Sequence, residues 1–173
     1  MIKNNLAYVL IVSLAILLIL EVVLRILPSY YVRLDDTLDH TLVPNVAFKE
    51  PAFGRIITMQ TNSLGLRNEE ISGKDGRTRI LMVGDSFTQG LVVELNETFS
   101  KGLGKMLGPK YEVINAGVLS YSPILEYLYL KYKGLKLEPD IVIMNFDMTD
   151  VKDDYGYYSK ADFDRGEVTA VNA

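Results

Sequence analysis

The longest apolar stretch of the chain runs from Leu6 to Leu27. Three polar residues interrupt it: Ser13, Glu21 and Arg25. At about 1.5 Å per residue, a helix of this length spans roughly 30 Å, the thickness of the hydrocarbon core of a bilayer. A cleaved signal peptide is the alternative, but no small-x-small cleavage site follows the run. The pattern therefore predicts an uncleaved, single-pass membrane anchor over residues 1–28.

Three short apolar runs alternate with two stretches of helical spacing further along the chain. The runs are Ile80–Val83, Tyr111–Gly117 and Ile141–Met144. The stretches between them repeat apolar residues every three or four positions, which is typical of amphipathic helices. Right-handed crossovers turn the order strand, helix, strand, helix, strand into a parallel sheet with helices on its faces. The predicted fold class is an α/β, flavodoxin-like three-layer α/β/α domain, preceded by a transmembrane helix.

The segment between the anchor and the first strand of this sheet has a different composition. Residues 29–78 contain prolines, tyrosines and an acidic patch, and Gly54–Asn62 has the composition of a short β hairpin or an edge strand. We therefore predict a linker with a short hairpin over residues 29–78. A partial α/β domain is predicted to follow over residues 79–173.

Composition and charge exclude several classes of function. The net charge is −4 and the chain has no basic run, so nucleic acid is not an expected partner. The absence of cysteine excludes disulfides, thiol catalysis and cysteine-zinc sites. His40 is the only histidine, so the residues for a zinc site are missing and no cofactor is expected.

Polar residues stand at the end of each of the three predicted strands. Gly84-Asp85-Ser86 follows the first strand, Gly117 ends the second, and Thr149-Asp150 follows the third. Because the carboxyl ends of parallel strands lie at one edge of a sheet, we expect one site there. Ser86 can act as a nucleophile, with its own backbone N–H helping to bind an oxyanion. The alternative interpretation is a strand that simply ends in a polar turn.

With these residues the chain resembles the SGNH, or GDSL, hydrolase superfamily. The resemblance implies that Ser86 is the nucleophile and that Gly117 donates its N–H to the oxyanion. It also implies that Thr149, which stands where the family has asparagine, is a further oxyanion donor. Asp85 and Asp150 are then supporting residues. Asn62–Arg67 likewise resembles a lead-in segment of anchored members of the family.

The family's fourth block, Asp-x-x-His, supplies the base histidine and its orienting carboxylate, and this sequence does not contain that block. His40 lies upstream of the predicted sheet and is a poor candidate for a substitute base. We therefore expect the chain to be an N-terminal fragment whose base lies beyond Ala173. A serine without a base is a weak nucleophile, so the chain as given should hydrolyse esters slowly or not at all.

The resemblance implies a membrane-anchored serine hydrolase or O-acyltransferase with its domain outside the cytoplasm. Its partner would be an acylated carbohydrate of the cell envelope, carrying acetyl groups, or another ester. The alternative is a non-catalytic SGNH-like module that binds glycan or a membrane partner. A flavodoxin-like nucleotide binder is disfavoured, because Gly84–Gly90 has neither the Walker lysine nor the G-x-G-x-x-G spacing.

Four carboxylates crowd the segment after the third strand, at Asp147, Asp150, Asp153 and Asp154. Their spacing does not fit an EF-hand loop, so we expect solvated charges and no metal site. Three tyrosines follow at positions 155, 157 and 158. Sugar stacking and loop packing both remain open for them.

Overall fold

The computed structural model describes residues 2–26 and 31–173, with side chains described at residues 8–22 and 31–173. The chain forms two compact units, Met1–Tyr31 and Val32–Ala173. The first unit contains helix α1 (Ile2–Ile26), whose described side chains are all exposed. Its leucines and alanines are strong helix formers, which accounts for the uninterrupted helix.

The predicted membrane anchor over residues 1–28 is wrong. Within the described part of the chain, no helix combines the length and the apolar character needed to cross a membrane. The predicted localisation, a single-pass anchor with an extracytoplasmic domain, is wrong for the same reason. Residues 27–30, where anchor and linker were predicted to meet, lie outside the described residues.

Two antiparallel hairpins open the second unit. Strand β1 (Val32–Asp35) pairs with β2 (Asp39–Leu42), and β3 (Ala47–Ala52) pairs with β4 (Arg55–Gln60). The turn between β3 and β4 has positive φ at both central residues, 46° at Phe53 and 81° at Gly54. Such a two-residue turn matches the right-handed twist of the strands. The segment predicted as a linker, from Val32 onward, thus belongs to the same compact unit as the parallel sheet.

The parallel sheet and its helices follow. In chain order the elements are β5 (Thr78–Gly84), α2 (Ser86–Gln89), α3 (Phe99–Leu107), β6 (Tyr111–Gly117), α4 (Pro123–Tyr132), β7 (Ile141–Met144), α5 (Asp150–Tyr158), β8 (Ala161–Asp164) and β9 (Glu167–Val171). Short 3-10 turns occupy Leu95–Glu97 and Gly134–Leu137. Strands β5, β6 and β7 are parallel and lie in the order β6-β5-β7, while β8 and β9 form an antiparallel hairpin.

The central strand β5 is buried on both faces. Ile80 and Met82 pack with Val113 of β6 and with Leu103 of α3 on one face. Alternate residues of a strand point to opposite faces, so Leu81 and Val83 face the other way. That second face is covered by α4, which contributes fully buried leucines, and the connection at Gly134 packs against Leu81. The central strand β5 therefore lies between α3 on one face and α4 on the other.

The predicted fold class, a flavodoxin-like three-layer domain after a transmembrane helix, is wrong. The described residues form a mixed α/β fold with a small parallel sheet of three strands and three antiparallel hairpins. Helices cover β5, but the edge strand β7 keeps 44% of Ile141, 38% of Val142 and 45% of Met144 exposed. Because neighbouring residues of a strand point to opposite faces, both faces of β7 are partly exposed, although Ile143 packs against the core. The helical layers therefore do not extend across the whole sheet.

A pair of glycines lets the short helix α2 lie directly on the ends of β5 and β6. Gly84 and Gly117 are register partners in the two strands. A Cβ on Gly117 would lie within 2.6 Å of the Thr88 carbonyl carbon and would overlap the Gln89 backbone nitrogen. A Cβ on Gly84 would overlap the Thr88 side chain. Only residues without a Cβ allow this approach.

Gly117→Ala is predicted to destabilise the protein by more than about 2 kcal/mol, because its methyl group would meet rigid backbone. Gly102→Ala is the matched control, since a Cβ at this helical position meets nothing within 4 Å. That variant should gain about 0.5–1 kcal/mol from helix propensity. Urea unfolding of both variants measures the difference. Equal stability of the two would contradict the close packing of α2.

Candidate functional site

Ser86 lies where the central strand of the sheet gives way to a helical turn. It is the first residue of α2 and is half-buried. Asp85 caps the turn, because its Oδ1 accepts the Phe87 N–H at 2.8 Å. The Ser86 hydroxyl lies 3.4 Å from Asp85 Oδ2, a long hydrogen bond. The Ser86 N–H has no intrahelical acceptor, as at every helix start, and remains available to a ligand.

The other end of this turn is held by Arg67, a residue whose role the sequence did not reveal. The Arg67 side chain is fully buried. Its Nη1 donates to the carbonyls of Gln89, at 3.2 Å, and Gly90, while its Nη2 donates to the carbonyl of Val93. Sequence reasoning marked Asn62–Arg67 only as a lead-in segment. The guanidinium fixes the chain just after α2 and thereby fixes the position of Ser86.

Gly117 lies at the end of β6, beside the nucleophile turn, but its N–H is already engaged. It donates to Asn115 Oδ1 at 3.0 Å. The Asn115 side chain is fully buried, and its amide donates in turn to the Thr88 carbonyl at 2.8 Å. In this arrangement Gly117 supports the turn and does not offer an oxyanion donor.

Thr149 lies on the loop between β7 and α5, and its hydroxyl is also engaged. Both its Oγ1 and its N–H donate to Asp147 Oδ1, at 2.7 and 2.6 Å. Asn145, which sequence reasoning missed, directly follows β7. Its Nδ2 donates to the Val83 carbonyl at 3.1 Å. An amide nitrogen carries two protons, so one proton of Asn145 remains for a ligand. A polar residue directly after an apolar strand was the available signal.

A cleft of about 480 Å³ lies beside this strand edge. Its polar wall contains Asp85, Thr88, Asn145, Asp147 and Thr149. Its apolar wall contains Phe87, Phe99, Phe146 and Met148. Ser86 stands between two lining residues and does not itself line the cleft. The arrangement offers an apolar surface next to a polar strand edge.

His40 is buried in β2 and is engaged at both ring nitrogens. Its Nδ1 lies 2.7 Å from Asp39 Oδ1, and its Nε2 donates to the Leu119 carbonyl at 2.8 Å. The ring also packs edge-on against Tyr121, with centroids 5.3 Å apart. Leu119 follows β6 and donates its N–H to the Gln89 side chain at 2.8 Å. His40 therefore anchors the loop after β6, and neither ring nitrogen is available as a base for Ser86.

Asp147, one of the carboxylates after β7 that the sequence suggested to be solvated, is half-buried and lies beside Asp85 and Asp150. Oxygen atoms of Asp85, Asp147 and Asp150 all lie within 4.8 Å of one another, and the Asp85 and Asp150 side chains are buried. Burial raises the pKa of Asp150, and the like charges of Asp147 and Asp85 add to the effect. Hydrogen bonds from Thr149 lower the pKa of Asp147.

Glu126 is a further buried carboxyl group that sequence reasoning missed. It lies on α4 with no exposed surface, and neither of its oxygens has a hydrogen-bond partner among the described residues. Burial, reinforced by the charges of Asp150, Asp85 and Asp154, raises the pKa of Glu126 to about 8. An acidic residue between apolar neighbours on a core-facing helix was the only signal available.

Two of the tyrosines after the site remain on the surface. Tyr155 is 84% exposed, and Tyr158 packs against Phe163 with ring centroids 5.1 Å apart. Packing against the β8–β9 hairpin thus accounts for Tyr158, whereas Tyr155 stays open to a ligand.

Comparisons of the chain with protein-family models, with curated proteins and with solved structures gave no match.

His40→Ala is predicted to lower the stability of the protein by about 1–3 kcal/mol, since it removes the donor to the carbonyl of half-buried Leu119. Reaction at Ser86 should be unchanged, because both His40 nitrogens are engaged elsewhere. Thermal unfolding measures the first effect and an aryl-acetate assay the second. Ser86→Ala is the comparison variant, and a loss of reaction in His40→Ala equal to that in Ser86→Ala would contradict the assignment.

Proposed function

We propose that Ser86 is the nucleophile of an SGNH-type acyl-transfer site that acts on acyl esters, with acylated carbohydrate as the substrate class implied by the family resemblance. The observation that carries the proposal is the placement of Ser86. Ser86 is the first residue of a helical turn at the end of the central strand. Asp85, Arg67, Gly84 and Gly117 fix that turn. A fixed, half-exposed hydroxyl beside a helix N–H is the arrangement that acyl transfer requires.

The reaction would proceed in two steps. The Ser86 oxygen bonds to the acyl carbonyl carbon, the bond from that carbon to the alkoxy oxygen breaks, and the alcohol leaves with a proton. Water then takes the acyl group in a hydrolase, and a sugar hydroxyl takes it in a transferase. The Ser86 N–H would hold the oxyanion, and Asn145 would offer its remaining amide proton. Gly117 and Thr149 would contribute only by exchanging their internal partners, Asn115 and Asp147, for the substrate.

The cleft supports an ester with an apolar acyl group. Phe87, Phe146 and Met148 are largely exposed along its apolar wall. Burying such surface against an acyl group is favourable at about 25 cal/mol per Å². The alcohol portion would then lie toward the polar wall.

The proton of the Ser86 hydroxyl needs an acceptor. Among the residues that the structure describes, the hydroxyl has one hydrogen-bond partner, Asp85 Oδ2, at the long distance of 3.4 Å. No imidazole reaches it, because His40 is engaged with Asp39 and Leu119. Residues 1–173 by themselves should therefore react slowly at Ser86.

A non-catalytic module that binds glycan or a protein partner is the second candidate. Two observations favour it: the Gly117 N–H and the Thr149 hydroxyl are both satisfied internally. A site that only binds needs neither a base nor a complete set of oxyanion donors.

Labelling with a fluorophosphonate probe separates the two candidates. The probe reacts with activated serines, and mass spectrometry of the Ser86 peptide measures the adduct. If Ser86 lacks only a base, added imidazole should raise the labelling rate of the chain at least about tenfold, because general-base catalysis contributes a hundredfold or more when the base is positioned.

Ser86→Ala should abolish the adduct, whereas Ser159→Ala, a change at an exposed serine, should leave it unaltered. A chain that forms no Ser86 adduct with or without imidazole would contradict the acyl-transfer proposal and favour the binding module.

A further inference from the structure

We propose that Asp85, Asp147 and Asp150 form a binding site for one divalent cation of the hard, oxygen-preferring kind, Mg²⁺ or Ca²⁺. This site lies next to the candidate nucleophile, and its existence does not depend on the proposed acyl transfer.

The first argument is convergence. Asp85 follows β5, Asp147 follows β7, and Asp150 begins α5, so three points of the chain bring one carboxylate each to the same place. Their oxygens lie within 4.8 Å of one another. An ion with oxygen ligands at about 2.0–2.6 Å holds those ligands at separations of this size.

The second argument is that these carboxylates are not satisfied by the protein. Asp147 Oδ2 and Asp150 Oδ1 are buried and have no hydrogen-bond partner in the described part of the chain. The salt bridges formed within residues 31–173 involve other acidic groups. Uncompensated buried carboxylates are costly, so a positive charge at this place would stabilise the fold.

Glu126 is an independent observation from a different element. Ser122 and Glu126 stand four residues apart at the start of α4 and share one face of it. Asp150 and Asp154 share one face of α5 in the same way. The Ser122 hydroxyl donates to Asp154 Oδ1 at 2.7 Å, which sets the two faces against each other.

Glu126 therefore lies on the face of α4 that packs against α5, where the charges of Asp150 and Asp85 act on it. It is fully buried, and both its oxygens lack a partner among the described residues. Burying an unpartnered carboxyl group near other carboxylates is unfavourable. A cation held by the three aspartates would offset this concentration of negative charge.

The chemistry of the donors selects the kind of cation. All three side chains offer carboxylate oxygen, and neither thiol nor free imidazole is present at the cluster. Oxygen-only sites suit Mg²⁺ and Ca²⁺, whereas zinc and copper prefer nitrogen and sulfur. Binding would join the Ser86 turn to the β7–α5 loop through one ion.

Isothermal titration calorimetry of the chain tests the proposal, after EDTA treatment and with MgCl₂ and CaCl₂ as separate titrants. KCl of matched ionic strength is the blank. We expect one ion per chain for at least one of the two salts, together with a rise in the thermal unfolding midpoint that KCl does not reproduce. Asp150→Asn should weaken the affinity by at least about tenfold, as the loss of a metal ligand does.

Asp164→Asn is the matched control, because it makes the same chemical change at an exposed aspartate of β8. Its affinity should equal that of the unmodified chain. Glu126→Gln should weaken binding less than Asp150→Asn does, because it removes a nearby carboxyl group and not a ligand. Without the ion it should raise the unfolding midpoint, since it removes a buried carboxyl group that has no partner.

The proposal is overturned if neither salt gives binding heat or a midpoint shift up to about 10 mM, ten times the dissociation constant of weak natural calcium sites. It is equally overturned if Asp150→Asn and Asp164→Asn bind the ion with the same affinity. A loss of affinity in Glu126→Gln as large as that in Asp150→Asn would contradict a site formed by the three aspartates.

Discussion

The close approach of α2 to the ends of β5 and β6 is the constraint on which the rest of the site depends. Gly84 and Gly117 face each other across the two strands and leave no Cβ beneath Thr88 and Gln89. That contact lets the Asn115 amide reach the Thr88 carbonyl and brings the Gln89 side chain to the loop after β6. The position of the Ser86 backbone is thus set by the packing of α2 on the ends of β5 and β6.

Sequence reasoning located the strands but not the partners of their polar ends. Periodicity and the residues at the strand ends were sufficient to place Ser86, because both are local properties of the chain. The partner of the Gly117 N–H is a side chain two residues away, and the partner of Thr149 is Asp147. Which acceptor each of these donors binds depends on the tertiary structure, and a sequence pattern does not show it. The membrane prediction rested on the apolarity of one run alone, and no helix in the described part of the chain has the length and apolar character to cross a membrane.

Burial of the acidic residues was equally invisible in the sequence. Asp150 and Glu126 become buried because α4 and α5 pack against each other, a tertiary contact between segments separated by β7. Read along the chain, the same aspartates are a polar stretch that resembles a solvated loop. The result is a strand edge with two distinct chemistries, a hydroxyl on a fixed turn and a group of carboxylates, which share Asp85 as a common neighbour.

Arg67 has a consequence for how such a domain can be inherited. Its guanidinium links a segment ahead of the parallel sheet to carbonyls at the end of α2 and just after it. The Ser86 turn and the hairpin region before it should therefore be inherited together. A recombination event that joined β5 and its turn to a different upstream segment would remove the guanidinium donor from the carbonyls of Gln89, Gly90 and Val93. Domain shuffling should therefore preserve the junction between these segments and place its crossovers elsewhere.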